Sequence, residues 1–166
     1  HRIPCVSYSL SLPRAGKFDA VRAKAQNIPL QYWAALQRGE TVTDGEQSYY
    51  PEQVLGDPRR GLKITYATDC RPSRELVALA QNSDLFVAEG LYGDIQKQPS
   101  AAEKGHMVYA EAAKMAADAQ VGQLWLTHYS PAMLDPEEHL PAAQELFPNT
   151  KCGSNLMTCT LKFQDV

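Results

Sequence analysis

Cysteine is scarce in this 166-residue sequence, and its four copies, Cys5, Cys70, Cys152 and Cys159, form no C-x-x-C pair. A disulfide framework is therefore not indicated, and the thiols read as reduced packing residues rather than ligands. No apolar run approaches the roughly 20 residues that span a bilayer. The opening lacks a charged segment followed by an apolar core, so no secretory signal is read. Compact H-x-x-x-H and H-E-x-x-H patterns are absent. So are internal repeats, heptads and low-complexity tracts. Charge of one sign is also lacking: the net charge is −3, which argues against broad nucleic-acid binding. These absences leave a reduced, cytoplasmic, non-membrane protein. Hydrophobic residues at 44% and charged residues at 21% place it among globular rather than disordered chains. The length suits one domain with a core, or part of a larger one. The first residue is His1 rather than Met, as expected of a processed product, a fragment or an engineered chain.

Charge is unevenly placed. Through residue 40 the basic residues are Arg2, Arg14, Lys17, Arg22, Lys24 and Arg38, against Asp19 and Glu40 alone. Such a segment can contact phosphates even on an acidic protein, and it can equally be a solvated face. Alternation over Cys5 to Leu12 predicts a strand. Phe18 to Gln26, opened by Asp19, and Leu30 to Gln37, stopped by Gly39, predict short helices. Thr41 to Asp57 reads as loop. Strands are then expected at Leu62 to Ala67, Asp84 to Glu89, Gln123 to Thr127 and Thr158 to Phe163. Helices are expected at Ser73 to Gln81, Ala101 to Gln120 and Pro136 to Leu146. Strands alternating with helices give an α/β layered fold, interrupted by an inserted arm over residues 13–57.

In α/β sheets ligands gather beyond strand ends. Asp69, Glu89 and His128 each fall at such an end, and His106 lies near the start of the expected long helix. Carboxylate and imidazole suit zinc, and a carboxylate can bridge two metals that activate water against a phosphodiester. Each residue alone also has a structural reading. Asp69 can be a turn residue before Pro72, and the histidines can be hydrogen-bonded core groups. Glu89 can be a buried carboxylate with a partner.

Read in order, the segments Leu12–Asp19, Leu36–Val42, Tyr66–Pro72, Phe86–Gly90, Gly105–Met107 with Glu111–Ala113, and Leu126–Ser130 resemble those of the ribonuclease Z family of the metallo-β-lactamase superfamily. Leu12-Pro13-Arg14-Ala15-Gly16-Lys17-Phe18-Asp19 resembles the lead into that family's arm, and Leu36-Gln37-Arg38-Gly39-Glu40-Thr41-Val42 its return. Tyr66-Ala67-Thr68-Asp69-Cys70-Arg71-Pro72 is similar to the G-D-T-R-P turn, and Phe86-Val87-Ala88-Glu89-Gly90 to the strand ending in E-A-T. Gly105-His106-Met107 with Glu111-Ala112-Ala113 resembles the H-S/M-T-x-x-Q-A-A segment, and Leu126-Thr127-His128-Tyr129-Ser130 the L-T-H-x-S segment.

The resemblance covers nearly the whole chain. It implies the C-terminal half of a metallo-β-lactamase-type αββα four-layer sandwich, spanning residues 1–166 with the arm as a tRNA-binding element. It further implies His1, Asp69 and His128 as ligands in a site for two Zn2+ or other divalent ions. His106 is implied on the leaving-group side of cleavage, with Glu89 in support. Arg14, Lys17, Arg38 and Arg71 are the implied substrate contacts. The implied activity is endonucleolytic removal of tRNA 3′ trailers. The implied partners are precursor tRNA, the N-terminal half of the same domain and a second copy in a homodimer. The sequence also departs from the family. H-x-H-x-D-H is absent, Asn27-Ile28-Pro29-Leu30 stands where a P-G-P-like turn is usual, and no Arg-Tyr follows Ser130. A hydrolase acting on a non-tRNA substrate and a non-catalytic binding half-domain are the alternatives.

Overall fold

The structure is a computed structural model that describes residues 3–164. These divide into two compact units, residues 3–11 with Leu62–Lys162, and Leu12–Gly61 with residues 163–164.

In the larger unit, four strands run parallel: β4 (Arg59–Ala67, from Leu62 onward), β5 (Leu85–Glu89), β6 (Leu124–Thr127) and β7 (Thr150–Cys152). The strand β1 (Tyr8–Arg14) lies beside β4, giving the order β1-β4-β5-β6-β7. Alternation sends Ala67, Phe86, Ala88, Leu124 and Leu126 to one face, where they pack with helices. Those helices are α3 (Arg74–Ala80), α5 (Tyr109–Asp118) and α6 (Leu140–Leu146). The inward residues of α5 include Ala112, Ala113 and Ala116, whose small side chains let the helix approach the sheet closely. The N-cap of α3 is Ser73, whose hydroxyl accepts from the Leu76 N–H at 3.1 Å.

The other face of this sheet is apolar, and it is exposed at β1 and β4. The Thr65 hydroxyl lies 3.3 Å from that of Ser9, so those two residues share the helix-covered side. Tyr8, Leu10, Ile64 and Tyr66 therefore point the opposite way, and all four are exposed. Val87 and Trp125 continue the row from Tyr66 by register. The indole N–H of Trp125 is buried without a hydrogen-bond partner.

The smaller unit contains α1 (Ala20–Ala25), capped by the Asp19 carboxylate, which accepts from the N–H groups of Val21 and Arg22 at 2.9 Å. It also contains α2 (Leu30–Gln37). Ala23, Ile28, Leu36, Tyr49 and Val54 form its own core. Burying a side chain the size of Leu36 contributes about 1.5–3 kcal/mol.

Three expectations are corrected. Thr41 to Asp57 is not all loop: β2 (Val42–Asp44) pairs antiparallel with β3 (Gln47–Tyr49). The turn between them places Gly45 at φ 61°, a conformation glycine adopts without steric cost. The long helix over Ala101 to Gln120 is broken into α4 (Gln98–Lys104) and α5. Gly105 ends α4 in the left-handed conformation at φ 82°. Finally, Thr158 to Phe163 forms no strand. The edge beside β6 is occupied by β7, anchored by the Thr150 hydroxyl on the Phe147 carbonyl at 2.6 Å.

Candidate metal and acid–base centre

Parallel neighbours β4, β5 and β6 end at the same edge of the sheet, so the residues that follow them meet in space. Asp69 leaves β4 with φ 55°, and His128 leaves β6 with φ 58°. Left-handed backbone is uncommon outside glycine, is tolerated by Asp and His, and concentrates at functional sites. These two turns place donor atoms of Asp69, Glu89, His106 and His128 within 4.8 Å of one another. The expected cluster is therefore assembled, apart from His1, which lies outside the described residues.

The four side chains form an inner and an outer pair. Glu89 is fully buried, and the His106 side chain is 12% exposed. The Glu89 carboxylate accepts from the backbone N–H of Cys70 and from that of Met107 at 3.3 Å. His106 Nδ1 lies 3.1 Å from Glu89 Oε2 and 3.2 Å from Oε1. A buried carboxylate needs such compensation, and here both oxygens receive it. In the outer pair, His128 Nε2 lies 2.9 Å from Asp69 Oδ1, with the side chains 38% and 43% exposed. The two imidazole rings stack loosely, with centroids 5.1 Å apart. Behind His128, the Tyr129 hydroxyl sits between the carbonyls of Leu126 and Gly153 at 2.5 and 3.1 Å. This contact ties the loop to β6.

This donor chemistry fits a divalent ion in part. Asp69 and His128 offer a carboxylate oxygen and an imidazole nitrogen that solvent can reach, a combination zinc accepts. Glu89 fits less well as a ligand, because its oxygens are already held by two N–H groups and His106. A catalytic zinc usually takes about three protein ligands, so two from this pair do not complete a site.

His106 does not start a long helix; it occupies the break between α4 and α5. The break is held by a group that sequence reading assigned no role. Glu111 accepts from the Val108 N–H at 3.0 Å, from Gln98 Nε2 at 3.0 Å, and from both Arg71 Nη atoms at 2.7 and 2.5 Å. The usable signal was a glutamate three residues after Val108, the helix N-terminal pattern. Burial pushes the Glu111 carboxyl up, but the hydrogen bonds from Arg71, Gln98 and Val108 outweigh it and hold the group below its ordinary value of 4.5. A depressed folded-state value stabilises the protein above the unfolded-state value, and this contribution is lost as pH falls through the folded one. The stability difference between wild type and Glu111→Gln is thus expected at neutral pH and to shrink below about pH 4, in urea unfolding curves taken at several pH values. Burial, followed by the Glu89 charge, pushes the Cys70 thiol up to about 11.

The expected substrate contacts divide between the two units. Arg71 is engaged with Glu111 and with the His106 carbonyl, rather than presented alone to solvent. Arg38 pairs with Glu40 at 2.7 Å on the surface. Arg14 donates to the Gln164 carbonyl at 3.1 Å and lies over the Phe163 ring. Lys17 is exposed. Arg14, Lys17 and Arg38 all belong to the smaller unit.

No protein-family model matches the chain. A ribonuclease Z of Clostridium acetobutylicum is 47% identical over 165 residues, covering 99% of this chain and 53% of the relative. A ribonuclease Z of Clostridium kluyveri is 43% identical, covering 99% of this chain and 54% of the relative. The chain therefore spans about half the length of the curated relatives it matches. Among solved structures, human tRNase Z, short form, superposes with a TM-score of 0.50 at 20% identity, over 70% of this chain and 37% of that one. At that identity the likeness speaks for the fold. By sequence over nearly its whole length the chain is similar to about half of the ribonuclease Z proteins, and its α/β fold is like part of that of human tRNase Z, short form.

Proposed function

We propose that this chain contributes the proton-transfer pair and part of the metal site of a tRNA 3′-end endonuclease, completed by the N-terminal half of the domain. The observation that carries the reading is the division of the cluster at the ends of β4, β5 and β6 into an enclosed Glu89–His106 pair and an open Asp69–His128 pair. Asp69 and His128 would hold the metal, together with His1 and residues of the other half. A divalent ion, zinc by preference for this donor set, would polarise a phosphoryl oxygen and activate water.

The rest of the chemistry belongs to side chains described above. Glu89 accepts from His106 Nδ1, which fixes the imidazole tautomer and orientation. His106 Nε2 then exchanges the proton and gives it to the departing ribose oxygen. Buried Glu89 supports the imidazolium as it forms. Arg14 and Lys17 would contact phosphates of precursor tRNA from the smaller unit.

The open face with Tyr8, Leu10, Ile64 and Tyr66 supports association, because an exposed apolar sheet face of this kind marks an interaction surface. The other half of the domain would cover it. A homodimer of the completed domain is part of the same proposal. The four free cysteines support a reducing compartment, the cytoplasm. No helix among the described residues is long and apolar enough to cross a membrane.

The test is cleavage of a precursor tRNA by a full-length ribonuclease Z carrying this chain, with and without chelator. Release of the 3′ trailer that stops on chelation and returns with added zinc is the expected result. Intact precursor in every condition would remove the nuclease reading.

A further inference from the structure

The break between α4 and α5 that carries His106 is held by an ion pair from outside it. Arg71 Nη1 donates to the His106 carbonyl at 2.6 Å, and the same guanidinium grips Glu111 through both nitrogens. Glu111 in turn accepts from the Val108 N–H. Between these contacts, the Met107 N–H is held by Glu89, and its carbonyl accepts from the Leu91 N–H at 3.0 Å. The His106 N–H donates to the Ala101 carbonyl at 2.8 Å. The main chain on both sides of the imidazole is thus bonded to fixed groups.

Arg71 also stands two residues after Asp69 and one after Cys70, whose N–H holds Glu89. One guanidinium therefore joins the turn that bears Asp69 to the break that bears His106. The two partners are 40 residues apart in sequence, so nothing local would keep them in register. The bidentate fork requires arginine, since a lysine ammonium is a point donor and cannot bridge two carboxylate oxygens and a carbonyl in one plane.

We propose that Arg71 and Glu111 are positioning residues for His106, acting through the backbone of residues 106–108 rather than by touching the RNA. The inference rests on the proposed nuclease function for its kinetic consequence, and on the ion-pair geometry for its structural one. Outer groups that orient reacting side chains typically change activity about 10- to 100-fold when removed.

The experiment uses a full-length ribonuclease Z carrying this chain, with Arg71→Lys, Arg71→Met, Glu111→Gln and the Arg71→Met/Glu111→Gln double variant. The expected kinetic result is a kcat about 10- to 100-fold lower, with KM for precursor tRNA within about 2-fold of wild type and metal content unchanged. Lysine is expected not to rescue, and the double variant to be no worse than the more impaired single one. A raised KM with kcat intact, and a weaker dependence on salt, would overturn the proposal and make Arg71 a phosphate contact.

Amide hydrogen exchange gives a readout that needs no substrate. Exchange at Met107 and Val108 is expected to speed up in Arg71→Met and Glu111→Gln, while the strand amides of Phe86 and Leu126 stay protected. Unchanged exchange at Met107 and Val108 would overturn the clamp even in an active nuclease. If the wild-type protein leaves precursor tRNA uncut, the functional reading fails, and the exchange data alone decide the clamp.

Discussion

Glutamine in place of Glu89 is expected to leave the sheet folded and the metal bound, and to lower kcat by about 10²- to 10⁴-fold, the range for loss of a positioned general acid or base. The carboxylate is fully buried and serves three donors at once: the Cys70 and Met107 N–H groups and His106 Nδ1. Glutamine keeps the volume and one acceptor oxygen, so the backbone contacts of Cys70 and Met107 survive in part. Its amide nitrogen is a donor, and placed toward His106 it favours the imidazole with the proton on Nε2. That tautomer cannot deliver a proton from Nε2 without first becoming charged, and the charge that would steady it is gone. Unfolding free energy should fall by about 1–3 kcal/mol, the cost of weakening a buried hydrogen-bonded charge. Single-turnover cleavage with equilibrium unfolding of the same sample separates the two effects. A kcat loss of less than about 10-fold, or loss of the metal, would contradict the assignment. His106→Ala is expected to lose the same factor, and Glu89→Gln added to it no more, because the two act as one unit.

The opposite signature is expected at the outer pair. Asp69→Gly and His128→Asn should weaken metal binding by more than about 100-fold, exceeding the losses typical of outer-shell changes. Cleavage at ordinary zinc concentration should be lost with it. Stability should move by no more than about 0.5 kcal/mol, as expected for surface positions. The choice of substitutions follows from the backbone. Both residues sit at positive φ, where glycine and asparagine fit and alanine would add strain of its own. A chelator-competition titration on each variant gives the affinity, and thermal melts give the stability. Metal affinity unchanged in both would remove Asp69 and His128 as ligands.

These residues differ in how readable they were from sequence. Asp69 and His128 follow short apolar strands and Glu89 ends one, and the pattern of such strands is strong enough to place their ends side by side. That the strands β4, β5 and β6 are adjacent follows from the parallel α/β order. His106 stood out through the motif resemblance, but its placement did not. Alanine-rich periodicity runs through residues 101–120 without interruption, and only the left-handed Gly105 breaks it. Uninterrupted, that helix would carry no 106–108 break for Glu89 and Glu111 to hold. Arg71 stood among the substrate contacts that the motif resemblance implies. Its partner Glu111 lies on a different element, and such non-local pairing leaves no local trace in sequence. The β2–β3 hairpin was missed although Asp44-Gly45 is a strong hairpin signal, because each strand is three residues long and polar. The strand expected at Thr158 to Phe163 had suitable residues, but the place beside β6 is taken by β7.

Metal content by elemental analysis of the full-length protein, compared across wild type, Asp69→Gly and Glu89→Gln, is the most direct test of the division between a metal-holding pair and a proton-moving pair. Full metal content in wild type and Glu89→Gln, with loss in Asp69→Gly, is the predicted result. Metal lost from Glu89→Gln and retained in Asp69→Gly would reverse the roles and contradict it.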